Sequence, residues 1–366
     1  MSEEQPRTRR GPGHRAIVLI ISAVCVMALI GVALLLPVPF VKLAPGPTYN
    51  IIGTHDGTAV LSISGTQTYP TTGNLDMVTV MESGGPRGGL TLPDALASWF
   101  NPADAVVPRE LIYPDDVTGE QVKARQTGLF NLSESDAVGA ALNYLKRQAK
   151  VRVIVSSITQ GAPADTRLEI GDTVLSVDGV AVTDSSQVVK AVQAKPIGTT
   201  FTFEVERPSD AGSERKTVQV TSAENPDRPG KPYLGVQIGP LYQPDFSVDF
   251  TLKDVGGPSA GLMFTLGLID KLSPGDLAAG KHIAGTGTIQ PDGTVGPIGG
   301  IRQKLAAARG AGAELFLMPK VHCAEASGHI PDGLTVAAIE TLGDAVTAVK
   351  TWTAGGKPVG CPANAS

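Results

Sequence analysis

Two stretches of this 366-residue sequence carry side chains that could do covalent chemistry. The first is DVGGPSAGLMF, Asp254–Phe264. Ser259 stands between a Gly256-Gly257-Pro258 turn and an apolar run. A helix is expected from Ser259 to about Leu272, with Ser259, Leu262, Met263 and Leu266 on one face. That places the hydroxyl at the first turn, where backbone N–H groups lack partners and the helix dipole is positive, a setting that can hold an oxyanion. Gly256 and Gly257 allow a substrate to approach the backbone closely. The same residues also describe an N-cap serine with no chemistry at all.

The second stretch is GPIGGIRQKLAAARGAGAELFLMP, Gly296–Pro319, which reads as turn, helix, glycine C-cap and strand. Ile301, Lys304, Leu305 and Ala308 share a face, so Lys304 interrupts an apolar stripe while Arg302, Gln303 and Arg309 lie off it. Burial disfavours the charged amine. A neutral amine is a general base, and a serine beside it becomes a nucleophile. A lysine snorkelling from the edge of the stripe is the alternative.

Taken together, GGPSAG and GTGTIQPDGTVGPIGGIRQKLAAARGAG closely resemble the proteolytic domain of Lon proteases, over roughly residues 235–350. Lon proteases are serine–lysine peptidases that use no catalytic histidine. The resemblance implies Ser259 as nucleophile, Lys304 as base and Thr286, in AGTGTI, beside the dyad. It also implies a homo-oligomer. Family members often carry an acidic residue just before GPSAG. Gly256 stands there, a departure that bears on local polarity. No GxxxxGK[ST] phosphate loop occurs; the nearest approach, GDLAAGKH, ends in His282. The expected peptidase is therefore ATP-independent and has no cofactor.

The elements that must position these residues divide by pattern. Residues 1–16 are a tail with Arg7, Arg9, Arg10 and Arg15, and 17–36, IVLIISAVCVMALIGVALLL, is an uncharged run long enough to span hydrocarbon as a helix. The basic flank places the N-terminus in the cytoplasm and all that follows Pro37 outside a cell membrane. A cleaved signal peptide is the alternative, but its apolar core runs only about 7–15 residues. Pro37–Pro47 reads as an extended stalk because its prolines prevent a helix. Residues 37–124 are β-rich, with a short helix over Thr91–Phe100, and are either a separate region or strands completing the peptidase fold. Ser133–Gln148 reads as a helix begun by Ser133, with Asp136 three residues on.

Val151–Val192 runs strand, turn, short helix, strand, hairpin turn at Asp178-Gly179, then a helix from Ser185. This order resembles a PDZ domain, carried by IGDTVLSVDGVAV, Ile170–Val182, and the domain is expected over 125–222. The resemblance implies a groove beside the Ser185–Gln193 helix that takes an extended peptide as an added strand. No glycine-rich carboxylate loop stands out. Ser222–Pro232 reads as a linker. A peptidase domain over 233–352, with strands at Leu234–Ile238 and Phe246–Leu252, and a tail over 353–366 complete the chain. Cys323 and Cys361 are either two free thiols or a bridge pinning the tail, which would stabilise by about 3–4 kcal/mol.

Other chemistries find less support. A net charge of -5 without a basic stripe argues against nucleic acid. His322, Cys323 and His329 fit no common zinc spacing, so no metal is expected. A Ser-His-Asp triad would need one of His282, His322 and His329, of which His282 is the best placed in sequence. The sequence reading is an α+β chain: a transmembrane anchor, a PDZ domain and a Lon-type peptidase domain acting on polypeptides. Such chains resemble the membrane-anchored PDZ-Lon proteins of Gram-positive bacteria. A non-catalytic PDZ adaptor is the rival reading.

Overall fold

In the computed structural model, strands from distant parts of the sequence share one sheet. The structure describes residues 13–85, 89–113, 118–209, 212–226, 228–252 and 255–362. Arg7, Arg9, Arg10 and Asp254, named above, lie outside them. Helix α1, His14–Leu35, is long and apolar enough to cross a membrane, and none of its residues is buried.

The Pro37–Pro47 segment is not a free stalk. Pro37-Val38 pairs with Leu90-Thr91, and Phe40–Asn50 is a strand inside the principal sheet, with Val41 fully buried. Its prolines fit because the pairing shifts register between Pro45 and Thr48, where a missing N–H costs no ladder bond. The sheet runs Thr335–Ile339, Leu315–Pro319, His282–Gly285, Asn74–Ser83, Phe40–Asn50, Ala105–Pro108. The first four strands are parallel and the last two antiparallel additions. The β-rich N-terminal region thus completes the sheet that carries the second half of the chain. Helix α2, Leu92–Trp99, packs beside its antiparallel edge.

Helix α3 is longer than the sequence suggests. It spans Gly119–Tyr144, opened by Thr118, whose side chain and Gln121 form a reciprocal capping box. Ser133 is therefore mid-helix rather than a cap. The cap signal was present earlier, as Thr118-x-x-Gln121, and it outcompetes the weaker Ser133-x-x-Asp136. Beyond it an antiparallel sheet runs Gly212–Thr221, Thr200–Ser209, Thr173–Val177, Lys150–Ile158, Val236–Gln243, with helix α4, Ser185–Gln193, beside it. Two expectations change here. Ser222–Pro232 is not a linker: Ala223–Asn225 and Arg228–Tyr233 form a hairpin. Leu234–Ile238 is not a peptidase strand either. Val236–Gln243 pairs with Lys150–Ile158 and closes the PDZ-side sheet, burying Leu234 in that core.

Helices α5, Gly261–Leu272, and α6, Ile301–Gly310, cover opposite faces of the principal sheet. Strand alternation separates two cores. Met77, Ile283, Leu317 and Ile339 face α3, α5 and the terminal helix, whereas Val78, Ala284, Phe316 and Met318 face α6. A short α7, Cys323–Ala326, and the terminal α8, Leu342–Thr353, finish the fold. Cys323 and Cys361 form a disulfide with sulfurs 2.06 Å apart.

One aromatic stack joins the pieces. Phe264 of α5 lies 5.5 Å from Phe130 of α3 and 4.4 Å from Phe250, ring centre to ring centre, and is fully buried. Phe264→Ala should destabilise the core around α3 and α5 by about 3–5 kcal/mol, read as a lowered urea midpoint. A loss below about 1 kcal/mol would contradict this packing.

Candidate active site

Ser259 precedes α5 instead of opening it; the helix starts at Gly261, with Ala260 as N-cap. The loop that carries the serine is fixed from both sides. Gly257 takes φ +85°, a left-handed conformation open to glycine, and its N–H donates to the Gln126 carbonyl at 2.9 Å. Ser133 Oγ donates to the Pro258 carbonyl at 2.9 Å. On the other side the Gly287 N–H (2.9 Å) and Thr286 Oγ1 (3.1 Å) both donate to the Ser259 carbonyl. Helix α3 and the segment after strand His282–Gly285 therefore set where the hydroxyl sits. Gly256 is exposed at the mouth and Gly257 is buried.

Lys304 comes from the opposite layer. Helix α6 is preceded by its N-cap Gly300, which has φ +69° and lies against Val80, and its stripe of Ile301, Leu305 and Ala308 seats on the sheet. Lys304 on the same helix is only 3 % exposed. Its Nζ reaches Ser259 Oγ at 2.8 Å and Thr286 Oγ1 at 3.1 Å. Thr286 is itself fully buried, just past the carboxyl end of a parallel strand, where open α/β sheets usually place their chemistry.

Desolvation lowers the Lys304 pKa to about 7. No carboxylate bonds to this amine among the described residues, so nothing offsets the burial of a charge. The hydrogen bonds also assign roles. Thr286 spends its hydroxyl proton on the Ser259 carbonyl and so can only accept from the amine. With one N–H held by Thr286, the lone pair of a neutral amine is free to take the Ser259 proton. The backbone N–H groups of Ser259 and Ala260 have no partner among the described residues.

The dyad opens on a cleft of about 780 Å³ walled by Leu43, Met77, Val80, Met81 and Ile298. A larger groove, about 1500 Å³, lies elsewhere, between α3 and Leu241–Phe250. Burial raises the carboxyl of Glu134, on its wall, to about 8.

His282 bonds to Asp76 at 2.7 Å, and the Ile298 N–H donates to His322 Nε2 at 2.9 Å, whereas the Ser259 hydroxyl engages Lys304. Sequence reasoning missed Gln126 and Ser133 as supports of the serine loop. The Thr118 capping box, read first, would have put both inside one helix. It also passed over Tyr233-Leu234-Gly235, a turn with Gly235 at φ +73° that leads into the edge strand facing α4. The Leu234 and Gly235 N–H groups have no partner among the described residues.

Comparison with protein families matches residues 129–221 to a PDZ domain and residues 251–350 to the Lon protease (S16) C-terminal proteolytic domain. A Lon protease of Roseiflexus castenholzii is 46 % identical over 66 residues. That stretch is 18 % of this chain and 8 % of the relative, so the two share only a small part of the relative's length. Among solved structures, the PDZ domain of an SdrC-like protein of Listeria monocytogenes is 22 % identical with a TM-score of 0.21, covering 24 % of this chain and 86 % of that one. A Geobacillus thermodenitrificans protein is 29 % identical with a TM-score of 0.21, covering 24 % and 94 %.

The buried amine has a signature in stability. Below about pH 7 both folded and unfolded states hold the Lys304 proton, and the folded state bears the full cost of a buried charge. Between that pH and the ordinary lysine value the unfolded chain alone holds it, so stability climbs by roughly 1.4 kcal/mol per pH unit. Lys304→Met should therefore stabilise the fold most at and below pH 7, with the gain vanishing towards pH values near the ordinary lysine pKa. A gain that does not change with pH would contradict a depressed pKa.

Proposed function

We propose that this chain, which carries a PDZ domain and a Lon-type C-terminal proteolytic domain, is a membrane-anchored, ATP-independent serine endopeptidase. The observation that carries the reading is the 2.8 Å contact between the buried Lys304 amine and Ser259. Ser259 Oγ attacks the peptide carbonyl carbon while Lys304 Nζ takes its proton. The resulting ammonium and the oxyanion form together at the buried end of the cleft, and the Ser259 and Ala260 N–H groups bond the oxyanion. Lys304 then gives the proton to the leaving amine. An acyl-serine remains, and the neutral amine activates a water to release it. Thr286 orients the lysine.

The apolar cleft suits extended apolar segments. With no phosphate loop in the sequence, the enzyme acts on chains that are already flexible or unfolded. The edge strand Val236–Gln243 and α4 offer a bound peptide a place to add as a strand, with the Leu234-Gly235 turn at its end. Helix α1 is the anchor. The arginines of the N-terminal tail favour a cytoplasmic N-terminus, with both domains outside.

Ser259→Ala and Lys304→Ala should each reduce cleavage of an unfolded polypeptide at least about 10³-fold, and the double variant should be no worse than either alone. Because the base must be neutral, kcat/KM should rise with pH through a single ionisation near 7. Full activity in either single variant, or a rate that falls across that range, would overturn the dyad.

A further inference from the structure

Helix α2 leaves an apolar face uncovered beside the end of α1. Ala95 and Ser98 turn inward and are buried, while Leu92, Leu96 and Trp99 recur at i, i+4 and i+7 on another face. Leu96 is 46 % exposed, Trp99 77 % and Phe100, which follows it, 86 %. Asp94 lies on the far side, and its carboxylate accepts from Thr91 Oγ1 at 2.6 Å. A large aromatic pair this open is not an ordinary feature of a water-facing helix.

The position of α2 suggests what covers that face. Pro37, the second residue after α1, is paired with Thr91, the residue before α2. Helix α2 thus begins one strand spacing, about 4.8 Å, from the point where the apolar helix ends. It also packs against α1. Leu35 and Leu36, at that end, are exposed too, so the apolar surface of α1 runs on into that of α2. Trp and its aromatic neighbours favour the boundary between hydrocarbon and water, where an amphipathic helix lies flat.

We propose that α2 is a second lipid contact, lying in the outer interfacial layer of the bilayer with Leu96, Trp99 and Phe100 immersed. The proposal rests on the reading of α1 as a membrane span. It fixes the antiparallel edge of the principal sheet, Phe40–Asn50 and Ala105–Pro108, against the membrane surface. The nearby Lys42 is paired with Asp104 at 2.9 Å, so the contact is apolar and insensitive to salt.

The chain has two tryptophans, Trp99 and Trp352, which makes the test direct. The full chain is reconstituted in phosphatidylcholine vesicles, and Trp352→Phe leaves Trp99 as the only reporter. Brominated phosphatidylcholine should quench most of its emission, aqueous iodide should quench little, and neither result should change between low and high salt. The parent chain serves if Trp352→Phe does not fold: bromolipid should remove part of its emission, and Trp99→Phe should abolish that part. Trp99 quenched by iodide and untouched by bromolipid overturns the proposal while leaving the anchor in place. Trp99 shielded from both points to a protein occupant and also overturns it. A chain that leaves the vesicles on alkaline washing overturns both the anchor and the lipid contact.

Discussion

A lysine amine kept out of water beside a serine hydroxyl is the constraint around which this structure is arranged. Lys304 is carried by α6, whose Ile301 and Leu305 are fully buried on the sheet. An ammonium without a counter-ion in that position would cost several kcal/mol, so the group sheds its proton instead. Every bond around it is consistent with that choice. Thr286 accepts one N–H, Ser259 lies at the remaining reach, and no carboxylate bonds to the amine among the described residues.

The serine needs equal restraint. Thr286 and Gly287 supply part of it, and the rest comes from outside the segment matched to the Lon proteolytic domain. Helix α3 holds the Gly257-Pro258 turn through Gln126 and Ser133, and the same helix packs against the PDZ-side strands Lys150–Ile158 and Val236–Gln243. Ser135 Oγ donates to the Pro240 carbonyl at 2.7 Å, from the same helix to that edge strand. A single helix therefore touches the serine loop at one point and the edge strand Val236–Gln243 at another.

The site was more legible in the sequence than the borders of the domains. Lys304 interrupts an apolar helical stripe, and a charge there is visible without any structure, whereas Ser259 stood out between its Gly-Gly-Pro turn and an apolar run although the helix starts only at Gly261. Thr286 came only through resemblance, because a threonine after a strand has no distinguishing local pattern. The borders failed where long-range pairing overruled composition. Pro45 and Pro47 argue locally for a stalk, yet a register shift admits them to an interior strand of the principal sheet. The Gly, Pro and charged residues of 222–232 argue for a linker, yet they form a hairpin. Val236–Gln243 looks like the start of the next domain, and only its pairing with Lys150–Ile158 assigns it to the previous one. Gln126 and Ser133 were invisible because their partners lie more than 120 residues away in sequence, on a turn that only the folded chain brings near.

The dyad works only with a Lys304 amine that is neutral near physiological pH. A ¹³C titration of the full chain labelled at lysine Cε, with the Lys304 signal assigned by its loss in Lys304→Arg, tests this most directly. One lysine should titrate near pH 7, well apart from all others. A Lys304 signal that stays in its charged position until the ordinary lysine range would contradict it.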